Sequence, residues 1–310
     1  MSMPFYVSPE QSMRDKADYA RKGIARGRSC VALQYAGGIL LVAPNPSSAL
    51  HKISEIYDRI GFAAVGRYNE YENLRKAGVT YADITGSQFD RHDVTARGIA
   101  NWYAQTLGTI FTDQLKPFEV EIVVAEVGAR PADDQIYRIT FDGSVTDEPG
   151  FVAFGGQADQ VSAALKERYA DNMSLSEAFA AALAALSAPG NGEYGAAQLE
   201  VAILERARDH RTFRRIRGAR LERLLSEARP APAAEDSGAA GDAGGAGADS
   251  GSGAAPGSGP ASPGAGAPGS GSASPSTGPT GSTGPADSDP PTGPAPSGSD
   301  RGSGLGGSPL

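Results

Sequence analysis

The chain has a single cysteine, Cys30, in 310 residues. That excludes an intrachain disulfide and a cluster of thiolate metal ligands. Its three histidines, His51, His92 and His210, stand in no ligand spacing, so neither a metal nor a cofactor is expected. No apolar run approaches the length of a membrane span, and the N-terminus lacks the apolar core of a signal peptide. A cytoplasmic protein with no membrane contact is expected. Excess positive charge is missing too. The formal net charge is −8, and the stretch from Pro230 onward carries −6 of it, because seven acidic residues face only Arg301. Residues 1–229 are left close to −2, so bulk charge does not point to nucleic acid.

From Pro230 to Leu310 the sequence lacks what a core requires. It is almost wholly Gly, Ala, Ser, Pro, Thr and Asp, without an aromatic residue and with only Leu305 and Leu310 as large apolar side chains. Such a segment cannot offset its ordering entropy, and 230–310 is expected to be a disordered tail. Its glycines and prolines follow no strict three-residue period, which excludes collagen. Residues 8–229 suit one domain.

What is present begins with the stretch Ser8–Arg28, read as a leading helix over residues 8–26. Ser8 is placed to be the N-cap, Pro9 suits the first helical position, and Gln11 completes an S-x-x-Q capping box. Met13, Ala17, Ala20 and Ile24 draw one narrow apolar stripe, with Arg14, Asp15, Lys16 and Asp18 on the wet surface. Gly23 weakens the last turn and Gly27 ends the helix. A helix with so little apolar surface needs a docking partner.

Two strands follow around Ala36-Gly37-Gly38, then a second pair, Lys52–Tyr57 and Ile60–Val65, turning at Asp58-Arg59. Tyr68 to about Ala82 has helical spacing. Asp93 is read as the N-cap of a longer helix whose apolar side includes Ile99, Tyr103, Leu107 and Leu115. EVEIVVAEV (119–127) is a sheet strand half or wholly buried, QIYRITF and SVTDE form a hairpin through Asp142-Gly143, and PGFVAFGG is a short buried strand. Val161, Leu165 and Tyr169 mark a helix, and Ser174 with Glu177 opens another. Two strands, Leu199–Leu204 and Thr212–Ile216, and a helix from Ala219 to Ala228 complete the order. Hairpins dominate and βαβ alternation is missing. The expected class is α+β, a four-layer αββα sandwich with two mostly antiparallel sheets and a leading N-terminal helix.

These residues resemble a family. SPEQSMRDKADYARKGIARG is similar to the leading-helix signature of proteasome α-type subunits, roughly S-P-x-G-x-x-x-Q-x-E-Y-A, and its S-P-E-Q matches the actinobacterial kind. YAGGILLVAPNPS resembles the family's first hairpin, KPFEVEIVVAEV its central strand, and YRITFDGSVTDEPGFVAFGG its strand-and-Gly-Gly run. The resemblance spans residues 4 to about 228 in the family's order. It implies the fold of N-terminal-nucleophile hydrolases and a heptameric ring of identical α subunits capping rings of catalytic β subunits. It also implies docking of a ring-shaped proteasomal ATPase and degradation of substrates tagged with a ubiquitin-like modifier.

In the catalytic relatives a threonine opens the first strand, with an Asp closing the second strand and a Lys on the third. The resemblance sets Arg28 at the nucleophile, Ser29 beside it, Pro44 at the aspartate and Lys52 at the lysine. No catalytic residue is therefore expected. Lys52 becomes the candidate for holding the C-terminal carboxylate of the ATPase; a structural ion pair with Glu55 or Asp58 is the alternative. The resemblance makes 1–7 the gate segment, with Pro4, Phe5, Tyr6 and Val7 over the axial pore, although the Y-D-R motif of archaeal and eukaryotic gates is missing.

Two other functions compete. An autonomous amide hydrolase of this fold is disfavoured by Arg28 and Pro44. A nucleic-acid-binding scaffold could use the arginines between Arg206 and Arg223, which read better as a solvated or subunit-contact face. Gly155-Gly156 is read as a tight turn rather than a phosphate cradle. Asp133-Asp134 and Asp147-Glu148 are read as solvent-facing, and Cys30 as core.

Overall fold

The computed structural model describes residues 8–190 and 192–228. The gate positions Pro4, Phe5, Tyr6 and Val7 and the 230–310 tail lie outside them. In order the elements are α1 (Pro9–Ala25), β1 (Cys30–Tyr35), β2 (Gly38–Pro44), β3 (Ile53–Tyr57), β4 (Ile60–Gly66), α2 (Tyr68–Gln88) and α3 (Ala96–Asp113). Then come β5 (Val120–Glu126), β6 (Gln135–Ile139), β7 (Val145–Asp147), β8 (Phe151–Phe154), α4 (Ala158–Lys166), α5 (Leu175–Ser187), β9 (Leu199–Glu205), β10 (Phe213–Ile216) and α6 (Ala219–Ala228).

The strands form two five-stranded sheets, β10-β9-β2-β1-β8 and β3-β4-β5-β6-β7, in which every neighbouring pair is antiparallel. Side-chain alternation assigns the layers. Cys30, Ala32, Leu41 and Ala43 of the first sheet meet Ala63, Val65, Val123 and Ala125 of the second, forming the inner core. On the outer face of the first sheet, Val31, Leu33, Leu40 and Val42 pack against Phe179 and Ala182 of α5 and Leu221 of α6. On the outer face of the second, Phe62, Ala64, Ile122 and Val124 pack against Leu74 of α2 and Ile99, Tyr103 and Leu107 of α3. The apolar run of β5 is thereby explained: Ile122 and Val124 meet helices while Val123 and Ala125 meet the opposite sheet. The architecture is the expected αββα sandwich.

Four local expectations need correction. Thr95, not Asp93, caps α3 by accepting the Gly98 amide at 3.1 Å, while Asp93 closes a separate 3-10 turn with Asp90. Leu115 lies beyond α3 and is 98 % exposed. Tyr169 lies beyond α4 and packs on Phe151. At α1, Ser8 accepts the Gln11 amide at 3.2 Å, but the Gln11 side chain donates to Asp15 instead of returning to the cap, so the box is half made. By contrast, the Ser174–Glu177 box is complete.

Candidate functional site

The leading helix packs on β4 and β5. Ala20 and Ile24 bury against Phe141, with Ala17 and Phe111 beside them, and this patch is small. Polar contacts supply the rest. Lys16, expected on the wet face, donates its ammonium to the carbonyls of Phe111 and Thr112 at 3.0 and 3.1 Å. Gly23, which costs helix propensity, is where the buried Glu119 carboxylate crosses α1; a Cβ there would lie 2.1 Å from Glu119 Oε2. Glu119 is in turn flanked by Lys116 at 3.2 Å and Arg67 at 3.5 Å. At the other end, Gly156 donates its amide to the Gly27 carbonyl at 3.1 Å, and Gly155 takes a φ of +103°. Gly155-Gly156 is a turn that lets the chain before α4 approach the end of α1.

Beyond α1 lie the positions that the resemblance matched to catalytic groups. Arg28 is exposed and links α1 to β1 inside the chain. Ser29 is buried, and its Oγ accepts the Gln157 amide at 3.1 Å. Pro44 ends β2 opposite Leu199. Lys52, half-buried, donates from Nζ to the Arg28 carbonyl at 3.1 Å. Burial lowers its pKa, and the positive charge of Arg28 adds to that, while Glu200 opposes it. The alternative partners of Lys52 are taken: Glu55 pairs with Arg211 at 3.1 Å and Asp58 with Arg91 at 2.7 Å.

Sequence reading missed the group that organises this corner. Glu200, at the start of β9, is almost completely buried. Its Oε2 accepts the Lys52 amide and Asn45 Nδ2, each at 2.8 Å, and its Oε1 accepts the Ile53 amide at 3.3 Å. Arg215 of β10 pairs with Oε1 and also donates to the Ile53 carbonyl. His51 Nδ1 faces the same oxygen at 3.1 Å without hydrogen-bond geometry. The only hint in the sequence was a glutamate as the second residue of a strand whose next four residues are apolar.

Four arginines of the run, Arg206, Arg211, Arg214 and Arg215, are paired with acids where they stand. Arg211, Arg214 and Arg215 pair with Glu55, Glu205 and Glu200. Arg206 makes a two-pronged pair with Asp134, both contacts at 2.7 Å. The side chain of Asp134 is fully buried, which overturns the solvent-facing reading of that acid. Asp133 instead pairs with Arg130 at the surface. Glu148 is partly buried against Arg138, whereas Asp147 is exposed as expected. Among the described residues no group of His, Cys, Asp and Glu could hold a metal, and no helix is long and apolar enough to cross a membrane.

Two antiparallel sheets lie between helix layers, with β1 beginning at Cys30, the frame that the resemblance to N-terminal-nucleophile hydrolases implied. Residues 24–204 match the family model described as "Proteasome subunit". A "Proteasome subunit alpha" of Streptosporangium roseum is 70 % identical over 228 residues, covering 73 % of this chain and 88 % of the relative. Those of Thermobifida fusca and Thermomonospora curvata are 67 % and 66 % identical, covering 74 % and 73 % of this chain and 92 % and 99 % of the relatives. The chain belongs to the proteasome subunit family, and these relatives place it among the α-type subunits of the proteasome core.

Proposed function

We propose that this α-type subunit is noncatalytic and forms the heptameric outer ring of the core particle in the cytoplasm. In that ring it scaffolds the β subunits that carry out proteolysis, gates entry through residues 1–7, and docks a ring-shaped ATPase that delivers substrates tagged with a ubiquitin-like modifier. The observation that carries the noncatalytic reading is the contact of Lys52 Nζ with the Arg28 carbonyl. The cation that would serve an N-terminal threonine here meets an ordinary peptide bond, with α1 ahead of it and proline at the aspartate position. Native mass spectrometry of the chain with its β subunit tests the assembly. Peptide hydrolysis absent from the chain alone and present in the assembled particle supports the reading; hydrolysis by the chain alone refutes it.

The docking role rests on Lys52 as a cation at a half-buried corner, suited to a carboxylate terminus. In the assembled particle, Lys52→Ala is expected to leave the rings intact and to weaken ATPase association, seen as co-elution in size-exclusion chromatography. Undiminished association removes this role. Deleting residues 2–7 is expected to raise peptide hydrolysis by the particle, and an unchanged rate removes the gate.

A further inference from the structure

β3 is an edge strand of its sheet, paired with β4 on one side only. The free edge of such a strand exposes backbone groups that need partners. Here the other sheet provides them through two side chains. Glu200 accepts the amides of Lys52 and Ile53, and Arg215 donates to the carbonyl of Ile53. Together they satisfy both backbone groups of Ile53 at the start of β3 and the amide of Lys52 just before it, and so hold the segment that carries Lys52.

We propose that Glu200 is the positioning residue of Lys52: from β9 its carboxylate fixes the backbone from which the lysine ammonium reaches the Arg28 carbonyl. The geometry requires a carboxylate. Four donors converge on its two oxygens, from Lys52 N, Ile53 N, Asn45 Nδ2 and Arg215, with His51 Nδ1 as a fifth neighbour. An ionised carboxylate has lone pairs for all of them, whereas a glutamine must aim its own NH2 group at donors. The charge acts as well. Lys52 is surrounded by Arg28, Cys30 and Glu200, and of these only Glu200 supplies a fixed negative charge that favours the ammonium against burial.

The importance of this corner rests on the docking role of Lys52, but the positioning can be measured separately. The test is competitive acetylation of the Lys52 amine as a function of pH, read by mass spectrometry in the particle assembled with its β subunit. In Glu200→Gln the Lys52 titration is expected to move to lower pH, because a stabilising anion is gone, and the amine is expected to react faster at a fixed pH. Wild-type titration and rate in assembled Glu200→Gln overturn the inference. If Glu200→Gln does not assemble, Glu200→Asp replaces it: the charge remains but the shorter side chain cannot reach both amides. Faster acetylation at a fixed pH then supports the inference, and a wild-type rate overturns it.

A second arm uses a fluorescent peptide with the C-terminal residues of the organism's ring ATPase, its amidated form serving as control. Lys52→Ala should abolish binding of the free acid, and Glu200→Gln should weaken it about tenfold, the scale of one lost charge-assisted hydrogen bond. Unchanged binding in Lys52→Ala removes the docking role and leaves acetylation to decide the positioning. Lost binding in Lys52→Ala with wild-type binding in Glu200→Gln overturns the positioning alone.

Discussion

The ammonium of Lys16 lies 3.0 Å from the carbonyl oxygen of Phe111, at the last turn of α3. That helix has no basic residue of its own in its final turn. The leading helix therefore supplies the cation that the carbonyl end of α3 favours, and a contact spanning 95 positions fastens α1 to the sandwich. Lys16→Met keeps the length of the side chain and removes the charge. It is expected to destabilise the isolated subunit by about 1 kcal/mol, with the loss concentrated in faster amide exchange along α1.

Gly23→Ala tests the seat of the same helix. Helix propensity alone would make alanine better by about 1 kcal/mol. The buried Glu119 carboxylate occupies the space of the new Cβ, held between Lys116 and Arg67. The substitution is expected to lower stability by about 1–3 kcal/mol. In a Glu119→Ala background it should instead raise stability, because only the propensity gain remains. Urea midpoints of the four proteins in the cycle measure both signs.

Asp134 and Arg206 join the β5–β6 connection to the end of β9, hence one sheet to the other. Asp134 also accepts the Gly128 amide at 2.8 Å. Asp134→Ala leaves a mostly buried guanidinium unpaired and is expected to cost about 3–5 kcal/mol. Asp134→Leu with Arg206→Met removes both charges, and should recover most of that loss by the same equilibrium measurement.

Glu126 predicts a pH dependence. Burial raises its pKa from the ordinary 4.5, although the amide of Ala96 donates to it at 2.7 Å. An acid held above its ordinary value binds more protons folded than unfolded in that interval. Its contribution to stability is present below the ordinary value and is lost as pH rises through the raised one. Glu126→Gln can still accept from Ala96 and does not titrate. Its stability relative to wild type should therefore increase as pH rises through that window and level off above it, as thermal unfolding at a series of pH values will show.

The distance to a partner decided what could be read in advance. Ser174 and Glu177 cap each other within one turn, and their role was visible in four letters. The burial of β5 was visible in its Ile122–Ala125 run, but which of those side chains meet helices and which meet the other sheet was not. Gly23 could be read only as a weak helix residue, since the carboxylate that needs its missing Cβ comes from position 119. Asp134 looked like turn chemistry until Arg206 arrived from 72 residues away. At the candidate site, Lys52 was identified through family resemblance, but Glu200 was not, because its main acceptor contacts run to Lys52 across 148 positions. Asp93 was a different error. Aspartate is a good cap, yet Thr95 stood two residues closer to the apolar repeat and took the position.

Cys30 lies between the two sheets with no exposed surface, and burial pushes its thiol up to about 12. It is also the only sulfhydryl in the chain. A thiol reagent at neutral pH therefore meets its target only when the sheets part. The sequence carries its own opening probe: where reclosing outruns the reagent, the rate at which Cys30 is alkylated reports the fraction of time the sandwich stands open, with no engineered label and no change to the protein.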